Sequence, residues 1–178
     1  MSVYQASEDS FLLEQNVPNE LTGKAVLEIG CGSGIISIVA AKNGGNVTAV
    51  DINPEAVNAT KRLAELSGLK IKALQSDLFS KVTGKFDLIV FNPPYVACEN
   101  ERLDGEEAWV GGKDGREIID VFLKEFKKHL THGGVALLLI SSQNKMKNEL
   151  EHDNWRCVDF LKLDDEELFI MKYANEMI

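Results

Sequence analysis

Ala25-Val26-Leu27-Glu28-Ile29-Gly30-Cys31-Gly32-Ser33-Gly34 decides the fold. Five residues with strand character run straight into three alternate glycines, and an apolar helical stretch follows from Ile35 to about Lys42. A strand, a glycine loop and a helix in that order let backbone approach a ligand closely. They predict an α/β protein whose ligands sit outside the carboxyl ends of its strands.

The dinucleotide-binding loop, G-x-G-x-x-G, needs Gly or Ala at position 35, where this chain has Ile35. Glu28-x-Gly30-x-Gly32-x-Gly34 is instead the spacing of loops that hold S-adenosylmethionine; a tight turn with no ligand is the competing explanation. Downstream, Asn46 to Val50 forms a second strand closed by Asp51, about 20 residues past the glycines and placed to accept from a ribose diol. A helix-cap role for Asp51 is less fitting, because Asn53 already caps a helix that opens with Pro54 and runs to Leu66, with Gly68 beyond its end. Leu69 to Gln75 alternates apolar and polar residues, as a half-exposed edge strand does. Asp77 then offers a carboxylate to an adenine amino group with Leu78 or Phe79 near the ring, and an Asx-turn is its rival role.

Phe86 to Phe91 has the length and β-branching of a buried strand, and it delivers Asn92-Pro93-Pro94-Tyr95 to the same rim. Asn92 offers a side-chain oxygen, and Pro94 biases Pro93 toward an extended conformation that aims its carbonyl. Tyr95 adds a flat ring. Two acceptors and a ring suit a planar nitrogen bearing two hydrogens; a polar turn closing a strand is the alternative.

At the amino end, Tyr4 to Val17 reads as a short amphipathic helix with Ser7 as N-cap, Glu8 and Asp9 in the first turn, and Phe11, Leu12 and Leu13 inward. Residues 96–114 lack periodicity and carry Glu99, Glu101, Asp104, Glu106 and Glu107. Trp109, Gly111, Gly112, Gly115 and Arg116 predict a closely packed corner in that stretch. A helix over 116–130, a turn at Gly133-Gly134, a strand over 135–140, a polar helix over 143–150, and two strands, 155–163 and 167–173, joined as a hairpin complete the reading. His129, His132 and His152 read as surface residues without chemistry.

The 178 residues suit one domain, 1–178, with the segment 1–20 capping the ligand site. Apolar residues make up 44% and charged residues 26%, ordinary globular proportions. The net charge of −9 argues against direct nucleic-acid binding, which needs clustered Lys and Arg. Cys31, Cys98 and Cys157 encode neither a disulfide framework nor a metal site. No run of apolar residues suits a membrane span, so the expectation is a cytoplasmic protein, with the nucleus a second compartment.

Glu28 to Gly34, Asp51, Asp77 and Asn92 to Tyr95, in that order, resemble the class I S-adenosylmethionine-dependent methyltransferases that modify planar nitrogens. Tyr4 to Leu13 and Trp109 to Arg116 narrow the resemblance to the HemK-like protein glutamine N5-methyltransferases, in particular the short eukaryotic form. Ala6 departs from it, since relatives commonly carry Pro there. The resemblance implies a Rossmann-like sheet of seven mostly parallel strands, order 3-2-1-4-5-7-6, with helices on both faces and a C-terminal antiparallel hairpin. Its implied substrate is the glutamine of the Gly-Gly-Gln motif in a class 1 translation release factor, alone or with the factor's GTPase partner. It further implies a heterodimer with a small zinc-binding activator, expected at the edge strand Ile71 to Leu74. By the same token Asn92, Pro93 and Tyr95 are catalytic, while Tyr4, Glu8, Ser10, Glu28, Gly30, Gly32, Gly34, Asp51, Ile52, Asp77, Leu78 and Asn92 bind the cofactor. The alternatives are an exocyclic amine of adenine or guanine in RNA or DNA, or a protein lysine, although a tetrahedral ammonium needs no planar clamp. A catalytically silent cofactor-binding subunit is the rival from another class.

Overall fold

A computed structural model describes residues 3–98 and 109–175. Seven strands form one sheet: β1 (Ala25–Ile29), β2 (Asn46–Asp51), β3 (Ile71–Gln75), β4 (Phe86–Phe91), β5 (Leu130–Ser141), β6 (Trp155–Lys162) and β7 (Glu167–Ala174). Their order is β3-β2-β1-β4-β5-β7-β6, as expected. The first five run parallel, and β7 lies antiparallel between β5 and β6. Five helices accompany them: α1 (Glu8–Gln15), α2 (Ile35–Lys42), α3 (Pro54–Leu66), α4 (Glu117–Glu125) and α5 (Lys147–His152).

Register places the site. Ile29 lies level with Val50 and Phe91, and Asp51 with Gln75. The residues that follow each strand, Gly30, Ser76 and Asn92, therefore emerge on one rim, beside Asp51 at the last position of β2. Each face of the sheet then needs cover, because strands apolar on both sides are stable only between two layers. One face buries Leu12 and Leu13 of α1 and Ile36 of α2 against Val90, Leu139 and Ile170. The other carries a chain of rings, Phe91 to Phe122 at 4.9 Å, Phe122 to Phe126 at 5.2 Å and Phe126 to Trp155 at 5.1 Å, between centroids. Through Phe91 this stack anchors the end of β4, one residue before Asn92.

Four boundaries differ from the sequence reading. Only Glu8–Gln15 of the N-terminal segment is helical, and Ser7 makes no side-chain cap bond. Its hydroxyl donates instead to Asp9 Oδ1 at 2.9 Å. Phe11 faces outward, 47% exposed, while Leu12 and Leu13 are buried. The helix expected to reach residue 130 ends at Glu125, and a 3-10 turn, Phe126–His129, leads directly into β5. Gly133-Gly134 is no turn: β5 runs through it, absorbing the extra residues as a shift in register between Phe86 and Leu88 of β4. Gly133 takes φ +74° there, and the glycine pair exchanges backbone hydrogen bonds with Asn175. The polar helix divides into a 3-10 turn, Ser142–Asn144, and α5, with Lys145 left-handed at φ 55° between them.

The packed corner expected around Trp109 to Arg116 is present. Val96 N–H donates to the Trp109 carbonyl, and Gly111 N–H to the Val96 carbonyl, both at 2.9 Å. A Cβ on Gly111 would collide with the Pro94 carbonyl oxygen, and one on Gly115 with that of Tyr95. The acidic residues Glu99, Glu101, Asp104, Glu106 and Glu107 lie outside the described residues. Arg116 pairs with Glu149 at 2.7 Å and so ties the start of α4 to α5. His129 departs from a surface setting, its ring stacked on Phe79 at 4.5 Å.

Candidate active site

The glycine loop curls over the end of β1 because its glycines adopt a conformation that side chains resist: Gly30 has φ +66° and Gly32 φ +49°. The turn lets Gly32 N–H donate to Asp51 Oδ2 at 2.9 Å, while Asn53 N–H donates to Asp51 Oδ1 at 2.8 Å. Burial pushes the Asp51 carboxyl up from its ordinary range against the pull of those backbone donors. Each oxygen keeps a lone pair for a further donor. Asn53 caps α3 by accepting from Glu55 N–H at 3.0 Å, as expected. Beneath the loop, Glu28 is 4% exposed and joined to the Ser37 hydroxyl by a short hydrogen bond. Burial raises its carboxyl to about 8, against the lowering effect of Ser37, so it is predominantly protonated at neutral pH.

Asn92 is half-buried at the end of β4, and its amide is divided between two environments. Nδ2 donates to Asp9 Oδ2 at 3.1 Å. Oδ1 is buried and, among the described residues, accepts from nothing. A buried acceptor without a donor is uncommon in folded proteins and needs an explanation. Here the residue lines a cavity that runs past the glycine loop and the ends of β2 and β4. Tyr4 and Tyr95 converge on the same carboxylate, their hydroxyls donating to Asp9 Oδ2 at 2.6 Å and 3.3 Å. Burial, and then the neighbouring carboxylate, push both hydroxyls up, so both remain protonated donors. For Asp9, burial opposes ionisation, but the hydrogen bonds from Tyr4, Asn92 and Ser7 prevail and hold its carboxyl below the usual range.

Twelve of the fourteen residues expected at the site line this cavity: Asn92, Pro93, Tyr95, Tyr4, Ser10, Glu28, Gly30, Gly32, Asp51, Ile52, Asp77 and Leu78. Ser76 closes the turn beside Asp77, its hydroxyl donating to the Leu78 carbonyl at 2.9 Å and accepting from Lys81 N–H at 3.0 Å. That leaves the Asx-turn role unneeded. Glu8 and Gly34 are corrections. Glu8 is exposed and does not line the cavity; the neighbouring acid, Asp9, does. Gly34 is also away from it: at φ +87°, a Cβ there would lie 2.8 Å from Thr60 Oγ1, so it serves the packing of α2 on α3.

Two residues at the site had no role assigned from sequence. Asp9 is one; its signal was helical phase, since it lies three and four residues before Leu12 and Leu13. Asn144 is the other. Its Nδ2 donates to the Tyr95 carbonyl at 2.8 Å and its Oδ1 accepts from Ser141 N–H at 2.8 Å, so it fastens the chain just beyond Asn92. Nothing local in the sequence marks it. The cavity wall carries Asp9, Glu28, Asp51 and Asp77, and, among the described residues, no Lys, Arg or His.

The methyltransferase small domain family matches residues 5–157. A Methanocaldococcus jannaschii protein named for N5-glutamine methyltransferase activity on protein is 49% identical over 144 residues, 79% of this chain and 73% of that one. Methyltransferase HEMK2 of Homo sapiens is 34% identical over 163 residues, 84% and 76% of the two chains. Among solved structures, the Mtq2–Trm112 complex of E. cuniculi, responsible for methylation of the eRF1 translation termination factor, aligns with TM-score 0.74 and 26% identity. It covers 99% of this chain and 100% of that one.

Proposed function

The chain belongs to the methyltransferase small domain family, among its protein N5-glutamine methyltransferases, and on that premise we propose that it methylates the side-chain amide nitrogen of the glutamine in the Gly-Gly-Gln loop of a class 1 release factor. The observation that carries the reading is the buried Asn92 Oδ1 at the cavity, which has no partner among the described residues. A glutamine amide brings the N–H donor this oxygen lacks.

The cavity fits S-adenosyl-L-methionine. Its wall is acidic, without basic side chains among the described residues, which suits a ligand bearing a sulfonium and an ammonium group. Asp51, its oxygens held by Gly32 and Asn53, would take the ribose diol. Asp77 would take the adenine amino group, with Ile52 and Leu78 on the apolar flanks. The segment carrying Tyr4 and Ser10 would cap the site. When bound, this cofactor supplies an electrophilic methyl group.

What the chain supplies is orientation. An amide nitrogen is a poor nucleophile because its lone pair is delocalised into the carbonyl. Asn92 Oδ1 would accept one amide N–H and the Pro93 carbonyl the other, which would fix the plane of the amide and so turn the face that carries its lone pair toward the methyl group. Both hydrogen bonds strengthen as positive charge builds on nitrogen, so they favour the transition state over the ground state. The Tyr95 ring would lie against the flat amide. No general base is assigned; the displaced proton goes to water.

Mtq2 is solved with Trm112, and this supports a small partner subunit here. We place that subunit on β3. It is one free edge of the sheet, and an unpaired edge is a template for strand addition. Leu74, half-buried, is a usable probe of that edge. Ala73 is not, because at 8% exposure a lysine there would disrupt the core.

The test is to co-express the chain with a small zinc-binding activator, supply labelled cofactor and a release-factor complex, and locate the label by peptide mass spectrometry. Label on the Gly-Gly-Gln glutamine, lost in Asn92→Ala with cofactor affinity retained, is expected. Leu74→Lys should abolish co-purification of the activator, and persistence of the complex would move the partner elsewhere. Label in RNA or DNA instead would transfer the function to an exocyclic base amine.

A further inference from the structure

The shape of an asparagine side chain does not distinguish its two ends. Oxygen and nitrogen exchange places on a half-turn of the amide, and only hydrogen bonding selects between the two states. At Asn92 the selection decides function, since an outward oxygen accepts a substrate N–H and an outward nitrogen repels it. We propose that Asp9 is the positioning residue that makes this selection, its acceptor-only carboxylate holding Asn92 Nδ2 so that Oδ1 faces the substrate amide nitrogen. The proposal deepens the reading above and rests on the role given there to Asn92 Oδ1.

Asp9 is 2% exposed, and no Lys, Arg or His pairs with it among the described residues. Retaining a buried anion without a counter-ion is costly unless donors surround it. The donors divide by oxygen. Oδ1 takes the Ser7 hydroxyl at 2.9 Å and the backbone and hydroxyl of Ser10, all from its own segment. Oδ2 takes Tyr4 at 2.6 Å, Asn92 at 3.1 Å and Tyr95 at 3.3 Å. One oxygen is thus fixed by the N-terminal segment, and the other is presented to the residues that line the reaction site. Helix capping does not explain the acid, because it sits inside α1 and, apart from Ser10 N–H, its donors are side chains from Tyr4 to Tyr95. With oxygen facing oxygen, the wrong Asn92 state would lose a hydrogen bond and gain a repulsion. An ionised Asp9 therefore leaves one orientation.

Asp9→Asn tests this on the complex with activator and release factor. A neutral amide at position 9 keeps the volume but can offer either end, so it no longer selects. We expect kcat to fall at least 10-fold, with cofactor Kd within 3-fold of the parent and an unchanged melting temperature. Asp9→Asn combined with Asn92→Asp exchanges the partners, so that an oxygen again faces outward, and kcat should recover at least 5-fold over either single change. Unchanged kcat in Asp9→Asn, or kcat and Kd lost in parallel, would overturn the proposal. If Asp9→Asn fails to fold, the combined variant decides: folded and inactive overturns it, folded and active supports it. A parent that labels a base amine rather than glutamine would refute the substrate reading alone, and the same comparison then runs on that amine. A parent inactive on both would refute the two together.

Discussion

Glu28→Gln isolates the one buried acid beneath the glycine loop. The Glu28 carboxyl is raised from 4.5 to about 8, first by burial, with the Asp51 charge adding to it and the Ser37 hydrogen bond opposing it. The folded chain therefore retains a proton that the unfolded chain releases above about pH 4.5. The stability this contributes is fully present below pH 4.5, declines as pH rises, and is lost once pH passes about 8. At ~1.4 kcal/mol per pH unit, the loss reaches ~3 kcal/mol at pH 7 and levels off near ~5 kcal/mol by pH 9. A glutamine keeps a carbonyl oxygen for the Ser37 hydroxyl and cannot ionise. Urea unfolding of parent and variant at intervals from pH 5 to pH 9 reads the difference directly. The variant's advantage should grow with pH by at least ~1 kcal/mol, even allowing for water relaxing around the ionised carboxyl. Two stability profiles that run parallel across this range would refute the burial argument, as would a parent that gains on the variant toward alkaline pH.

Asp51→Ala should raise cofactor Kd at least ~10-fold, the equivalent of losing one hydrogen bond to a charged group, while kcat at saturating cofactor changes less; calorimetry and initial rates separate the two. A collapse of kcat with Kd intact would assign Asp51 to the chemistry instead. Gly34→Ala should destabilise by at least ~2 kcal/mol, because the added Cβ is forced both into a left-handed backbone and to within 2.8 Å of Thr60. Its folded fraction should bind cofactor as the parent does, and a specific loss of affinity would restore Gly34 to the site.

Strand order followed from the family that the chain resembles, and the burial of β4 and of the middle of β5 was legible in their apolar runs. What escaped the sequence was tertiary. Gly133-Gly134 has the composition of a turn, but its backbone partner is Asn175, more than 40 residues away, and that pairing draws it into β5. Lys145 breaks the polar helix because Asn144 before it is committed to Tyr95. The choice of Glu8 over Asp9 was a question of helical phase. Residues three and four apart share a face, so with Leu12 and Leu13 both inward, Asp9 faces inward with them. Phe11 was misread for the same reason. Asn92, Asp51 and the glycines were legible because each closes a strand, and strand ends can be counted.

The acidic cavity wall also bears on what happens after transfer. S-adenosyl-L-methionine, bound as proposed, would carry its methyl group on a positively charged sulfur, whereas the sulfur of the by-product is neutral. With Glu28 predominantly protonated, the remaining acids of the wall, Asp9, Asp51 and Asp77, with no basic side chain to balance them among the described residues, would attract the charged form more strongly than the spent one. Chemistry alone thus weakens the hold on the by-product. Turnover in such a site would be biased forward by the fixed charge of the protein.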